Sequence, residues 1–288
     1  MNLTLEELYN MYEMYKNNAG ISTGIRLNKP ATFTVRQPVK MQTTLLIPDC
    51  HVTPSCKMDR FKALNALIHK RKPNNIVVLG DFLDLKSLSH WEKNNKLKME
   101  GIRYKEDIDA GNNAIDAIFK DVDMKSINVI WHLGNHSEWS YKYLELNPQL
   151  QGHIDIIADL KLRKRGITSI IPYKKYSEIE GVLMTHSPMN AANMPIGGKF
   201  AAQKASDLTS KSMVFAHTHS VAQYSCQRHG DDNVIQIYVA GAYFDEIGDY
   251  TDGSTMAHNF CISILTHVAP GKFDVEQISK ERMLLGAF

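Results

Sequence analysis

The sequence predicts an α/β fold in which two β-sheets pack against one another with helices on the outside. Three observations lead there. From residue 42 the chain alternates short apolar runs with helical patterns, as parallel βαβ units do. Its last third changes to closely spaced strands joined by turns, as antiparallel sheets do. Five of the apolar runs end, within a residue or two, on Asp, Asn or His. Ligands of open α/β sheets sit outside the carboxyl ends of the strands, so polar residues just beyond several strands converge on one crevice.

Residues 1–40 read as an N-terminal helix and arm, and residues 41–288 as the main domain. Thr4-Leu5-Glu6-Glu7 has capping-box spacing and opens a helix with Leu5, Leu8, Tyr9, Tyr12 and Tyr15 as its apolar stripe. It should stop near Asn17-Asn18-Ala19-Gly20, and a mixed stretch with Pro30 and Pro38 leads on to the first strand. A small nucleic-acid-binding module is the alternative for this arm, on the strength of Arg26, Lys29, Arg36 and Lys40.

The five runs follow in order. Thr44-Leu45-Leu46-Ile47-Pro48 leads into Asp49-Cys50-His51, and Ile76-Val77-Val78-Leu79 into Gly80-Asp81-Phe82-Leu83-Asp84. These two are about one βαβ unit apart, with a helix expected near Met58 to Lys72. A second helix should cover Tyr104 to Asp121, and Val129 to Leu133 then leads into Gly134-Asn135-His136. A helical, partly basic insertion runs to about Arg165, and Gly166 to Pro172 returns to strand. Val182-Leu183-Met184-Thr185 ends on His186, and Met213-Val214-Phe215-Ala216 on His217-Thr218-His219. Val221 to Cys226 and Val234 to Val239 form a hairpin, and Phe260 to Val268 and Phe273 to Ile278 add two more strands. Three carboxylates, an amide and five imidazoles converge in this way, a donor set suited to divalent metal rather than to packing.

Composition agrees with an enzyme and demands no polyanion partner, since the formal net charge of the 288 residues is only +2. Lys161, Arg163, Lys164, Arg165, Lys174 and Lys175 nevertheless cluster; they read as a solvated face, with a phosphate-rich partner as the alternative. Cys50, Cys56, Cys226 and Cys261 form no Cys-x-x-Cys pair, which points to reduced thiols and a cytoplasmic setting. Alternation sends Cys50 to the face opposite Asp49 and His51, where it should pack. No apolar run approaches the length of a membrane span, and the acidic N-terminus has no signal core.

Asp49-x-His51, Gly80-Asp81-x-x-Asp84, Gly134-Asn135-His136, His186 and His217-x-His219 stand in the order and approximate spacing of the calcineurin-like metallophosphoesterase superfamily, which this chain resembles over about residues 42 to 240. Its subtype is similar to the single-domain phosphoesterases of bacteria and their phages. The resemblance implies a two-sheet β-sandwich flanked by helices, with a two-metal site at one edge. It implies phosphoester hydrolysis by a metal-activated water, with two divalent ions, Mn²⁺ by preference and Fe, Zn²⁺ or Ni²⁺ as alternatives. Asp81 would bridge the ions; Asp49, His51 and His219 would complete one, and Asn135, His186 and His217 the other. His136 would stabilise the transition state or protonate the leaving oxygen, with Asp84 orienting it. Two positions depart from the family pattern, Ser137 where an acidic residue is usual and Ala216 where glycine is usual. Neither removes a ligand.

The expected substrate is a phosphodiester, a nucleotide or nucleic acid; the alternatives are a phosphomonoester and, outside enzymes, a metal-free scaffold that binds proteins. His90, beyond the Asp84 loop, is a candidate for substrate contact, and Trp91 and Tyr243 for stacking on a base or sugar, with packing of the loops as the equal alternative. His132 reads as a hydrogen-bonded core residue and His258 as a turn residue. The sequence leaves the oligomeric state open.

Overall fold

Every strand expected from residue 42 onward forms, and alternation within the strands explains how they pack. This computed structural model describes Asn10 and residues 41–89, 94–227, 233–244 and 258–288. The first sheet has the order β11-β10-β1-β2-β3-β4, from β1 (Thr43–Ile47), β2 (Asn75–Val78), β3 (Asn128–His132), β4 (Ser169–Ile171), β10 (Cys261–Ala269) and β11 (Lys272–Ser279). The second has the order β5-β6-β7-β9-β8, from β5 (Ser177–Ile179), β6 (Val182–Met184), β7 (Met213–Phe215), β8 (Val221–Gln227) and β9 (Val234–Ala240). The expected N-terminal helix and arm lie outside the described residues.

Both sheets are mixed. β1 to β4 are parallel neighbours, but the C-terminal hairpin β10–β11 returns to pair antiparallel with β1 instead of joining the later strands. The second sheet likewise has a parallel centre, β6-β7-β9, between antiparallel edges. Strand order along the chain therefore does not divide the sheets. Burial of β1 and β10 on both faces explains why their sequences read as continuous apolar runs.

Period-two alternation splits each central strand between two cores. Leu46, Val77, Leu79 and Ile130 turn inward against Val182, Met184, Val214, Tyr238 and Ala240 of the second sheet. Leu45, Ile47, Ile76, Val78, Val129 and Trp131 turn the other way, against α1 (Asp59–Arg71) and α2 (Tyr104–Ile118). On α1 the buried Phe61, Leu64, Leu67 and Ile68 form the i, i+3, i+4 stripe that such packing needs. Its Asp59 in the first turn and His69, Lys70 and Arg71 in the last complement the helix dipole, and Lys72 in left-handed conformation ends it before Pro73. The third helix, α3 (Asn135–Leu146), begins at the end of β3. The far face of the second sheet packs Phe215, Ile237 and Val239 on Ala201, Ala202 and Ala205 of α4 (Ala201–Ser206).

Polar groups tie the sheets together inside the sandwich. Gln236 of β9 accepts from the Phe273 N–H at 2.9 Å and donates to the Phe273 carbonyl at 3.0 Å, while the Tyr238 and Ser263 hydroxyls meet at 2.7 Å. Phe273 is 1% exposed and sits in the inter-sheet core. Phe273→Ala should destabilise the chain by roughly 3–5 kcal/mol through lost burial and the cavity left behind. A urea titration with an unchanged slope and a lower midpoint would show it; an unchanged midpoint would mean the two sheets are held elsewhere.

Candidate metal centre

The parallel strands of both sheets end at one edge, and the expected site residues stand on the loops just beyond. Asp49 and His51 follow β1, Asp81 and Asp84 follow β2, Asn135 and His136 follow β3, His186 follows β6, and His217 and His219 follow β7. Asp49, His51, Asp81, His136 and His186 are buried. The loops turn sharply there. His51, Asp81, His217 and His219 all take left-handed backbone conformations, with φ of 42°, 41°, 68° and 58°.

Two glycines make the convergence sterically feasible. A Cβ on Gly80, whose φ is +98°, would lie 2.6 Å from the His186 ring. One on Gly134 would collide with the Asp81 carboxylate itself. Ala216 is not among the residues of positive φ, so the usual glycine is dispensable there. Cys50 is buried with the core, away from the ligands, as alternation requires.

Hydrogen bonds fix which ring nitrogens face inward. The His186 Nδ1–H donates to the Leu79 carbonyl at 2.8 Å, so its Nε2 points at the Asn135 Oδ1 at 2.9 Å and the Asp81 Oδ2 at 3.2 Å. The His51 Nδ1–H donates to the Asp84 carboxylate at 3.1 Å, and its Nε2 lies 3.1 Å from the His219 Nε2. Asp81 Oδ1 accepts the backbone N–H of His136 at 2.9 Å, and Asp49 Oδ2 that of His217 at 2.8 Å. Among the described residues three groups of donor atoms are close enough to hold a cation: Asp49, His51 and His219; Asp81, His186 and His217; and His51, Asp84 and His136.

The donor set fits divalent metal. A neutral His186 with its proton on Nδ1 would turn a lone pair toward two oxygen acceptors, which only a second proton or a cation between them can reconcile. The buried Asp49 Oδ1 and His217 Nδ1 have no hydrogen-bond partner among the described residues. Imidazoles that donate one N–H to a carbonyl or carboxylate and turn the other nitrogen inward are the usual arrangement of metal-ligating histidine.

Electrostatics say the same. Burial pushes the Asp49 carboxyl up to about 7, against the pull of His186. Burial pulls His186 down, but the charges of Asp81 and Asp49 and the hydrogen bond to Asp81 together raise it to about 9. Burial and the charge of His186 lower His217 to about 4, and burial and the charge of His51 lower His219 to about 2. Neutral imidazoles at His217 and His219 beside an Asp49 carboxyl that is costly to ionise are what a dication would bind and stabilise, and a dication would take the place of the proton that Asp81 and Asp49 hold on His186.

Asp84 behaves differently from the sequence expectation. Its carboxylate holds His51, while its backbone carbonyl accepts the His136 Nδ1–H at 2.6 Å; the nearer carboxylate oxygen is 3.7 Å from that nitrogen. The main chain therefore orients His136. Its ring also packs on Trp139, with centroids 3.9 Å apart, and burial lowers its pKa.

Some supports had no signature in the sequence. The buried Arg60 guanidinium donates to the Cys50 carbonyl at 3.0 Å and to that of Tyr243, so one side chain braces the loops after β1 and β9. Phe244, just past β9, stands edge-on to His51 and His219 with centroids 5.3 and 5.1 Å away. The position was readable, since β9 is another parallel strand ending at this edge, but it carries no metal-type side chain. His258, read as a turn residue, packs against His219 at 5.2 Å. Tyr243 is fully buried, with its hydroxyl donated to the Arg60 carbonyl, so it cannot stack on a base. His132 is a core residue as expected, 2.8 Å from the Ser177 hydroxyl. His90 and Trp91 lie outside the described residues.

Among solved structures, a dimetal phosphatase from Danio rerio is 10% identical, with 83% of this chain and 96% of that one covered at a TM-score of 0.37. Another is 11% identical, with 83% of this chain and all of that one covered at a TM-score of 0.39. No curated protein matches the chain. Among the described residues no helix is long and apolar enough to cross a membrane. Residues 43–235 match the model of the calcineurin-like phosphoesterases, so the chain belongs to that family and is a phosphoric ester hydrolase.

Proposed function

We propose that the enzyme is a phosphodiesterase acting on nucleotides or nucleic acid, with two divalent ions, Mn²⁺ by preference, as cofactors. Asp49, His51 and His219 would hold one ion, Asn135, His186 and His217 the other, and Asp81 both. The observation that supports this reading is that Asp81, His186 and His217 form one group of converging donors and Asp49, His51 and His219 another, with the His136 N–H held by Asp81. Bound there, the ions would acidify a water and neutralise the non-bridging oxygens of the phosphate.

The protein's own contribution is positioning and a proton. With Nδ1 committed to the Asp84 carbonyl, His136 can address substrate only through Nε2, which lies 3.8 Å from Asp81 Oδ2. Burial keeps the free ring neutral, and an arriving phosphate anion favours the imidazolium, which can then protonate the leaving oxygen. An alkoxide leaving group needs that proton more than a phenolate does, which suits esters of sugar hydroxyls. Arg165 is not free to attract such a polyanion. It is engaged by Asp116, by Asn112 Oδ1 at 3.0 Å and by the Leu160 carbonyl at 3.1 Å.

The test compares bis(p-nitrophenyl) phosphate with p-nitrophenyl phosphate, each with Mn²⁺ and with excess chelator. The diester should be hydrolysed faster, and chelator should stop both reactions. Preference for the monoester would make the enzyme a phosphatase of the same family.

A further inference from the structure

We infer that the enzyme carries a nucleobase subsite in the cleft between α3 and β4, a proposal that rests on the diesterase reading above. The cleft encloses about 330 Å³, at the lower end of the size of small-molecule sites. Leu133, Ile170 and Pro172 supply apolar walls and Tyr141 an aromatic one, while Glu138 and Arg163 bring opposite charges.

Its position follows from helix geometry. Asn135, Glu138 and Tyr141 are spaced i, i+3, i+6 and form one ridge of α3, so the ridge that lines the cleft begins at the residue in contact with His186. On the opposite wall, Pro172 is followed by Tyr173, whose ring centroid lies 5.9 Å from that of His186. Both walls thus run out of the metal-ligand cluster. A phosphate held at the cluster would direct one ester substituent along them.

The lining selects the chemistry of that substituent. Among the described residues neither the Glu138 carboxylate nor the Arg163 guanidinium makes a hydrogen bond or ion pair, although they share one cleft. A carboxylate only accepts and a guanidinium only donates, so an occupant satisfying both offers an N–H and a carbonyl or ring nitrogen on a flat apolar body. A nucleobase has that combination; a sugar lacks the flat apolar faces, and an alkyl group lacks the polar edge.

The test measures binding as well as turnover. Titration calorimetry on the Mn²⁺-loaded protein should show thymidine 5′-monophosphate binding more tightly than inorganic phosphate. Arg163→Ala, at an exposed position, and Ile170→Trp, which fills the cleft, should each weaken the nucleotide by about 10-fold, the scale of one charged hydrogen bond, and leave phosphate unchanged. With the p-nitrophenyl ester of thymidine 5′-monophosphate the same variants should raise KM and spare kcat, without effect on bis(p-nitrophenyl) phosphate. Equal affinity of wild type for nucleotide and phosphate, or equal losses for both in Arg163→Ala, would overturn the subsite. A monoesterase result in the chromogenic assay would instead overturn the diesterase reading, and the calorimetry would still decide the cleft.

Discussion

Asp81→Asn is expected to abolish hydrolysis while leaving the fold intact. The two side chains have nearly the same volume, and the amide oxygen can still accept the His136 N–H that Asp81 Oδ1 accepts at 2.9 Å. What disappears is a negative charge amid the imidazoles, for His186, His136 and His51 hold the Asp81 carboxyl well below the usual carboxylate range in spite of its burial. Without it, the attraction for two dications falls on Asp49 and Asp84. Wild type should hold close to two ions per chain by elemental analysis, and the variant fewer, with unchanged circular dichroism. Full wild-type activity with one ion, or in excess chelator, would end the two-metal reading.

His136→Ala should separate chemistry from metal binding. The backbone N–H that holds Asp81 is retained in alanine, so the ligand cluster keeps its support while the imidazole is lost. Both ions should remain, and turnover should fall on the order of 10²-fold to 10⁴-fold, the range for removal of a positioned acid. His136 also belongs to a third group of donors with His51 and Asp84. A variant that loses an ion would therefore mark His136 as a ligand and the acid role as misassigned.

The strands and the convergence of the candidate site residues beyond them were legible in the sequence because both leave side-chain signatures. Alternation within runs such as Thr44–Ile47 records two buried faces, and a polar metal-type residue placed straight after such a run gains little from packing there. The main chain leaves no such record. That the Asp84 carbonyl, and not its carboxylate, orients His136 could not be read from residue types, nor could the Leu79 carbonyl that turns His186. Nothing in the sequence sets Arg60 apart from other charges on a helix, yet it is 1% exposed and braces two loops. For Tyr243 stacking and packing both stood open, because an aromatic residue after a strand gives no sign of which way it turns; it packs. The return of β10 and β11 to the first sheet was hidden for a related reason, since pairing partners far apart in sequence are chosen by packing and not by local pattern.

The left-handed backbone at His51, Asp81, His217 and His219 has a consequence for how this protein can be improved. Each such residue opposes folding by on the order of 1 kcal/mol relative to glycine, which takes that conformation freely. Stability and chemistry are therefore in conflict at the same four positions. A selection for heat resistance that ignored turnover would favour glycine there and discard the donors, so engineering for durability has to draw its gains from the helices and sheet faces and leave the strand-end loops alone.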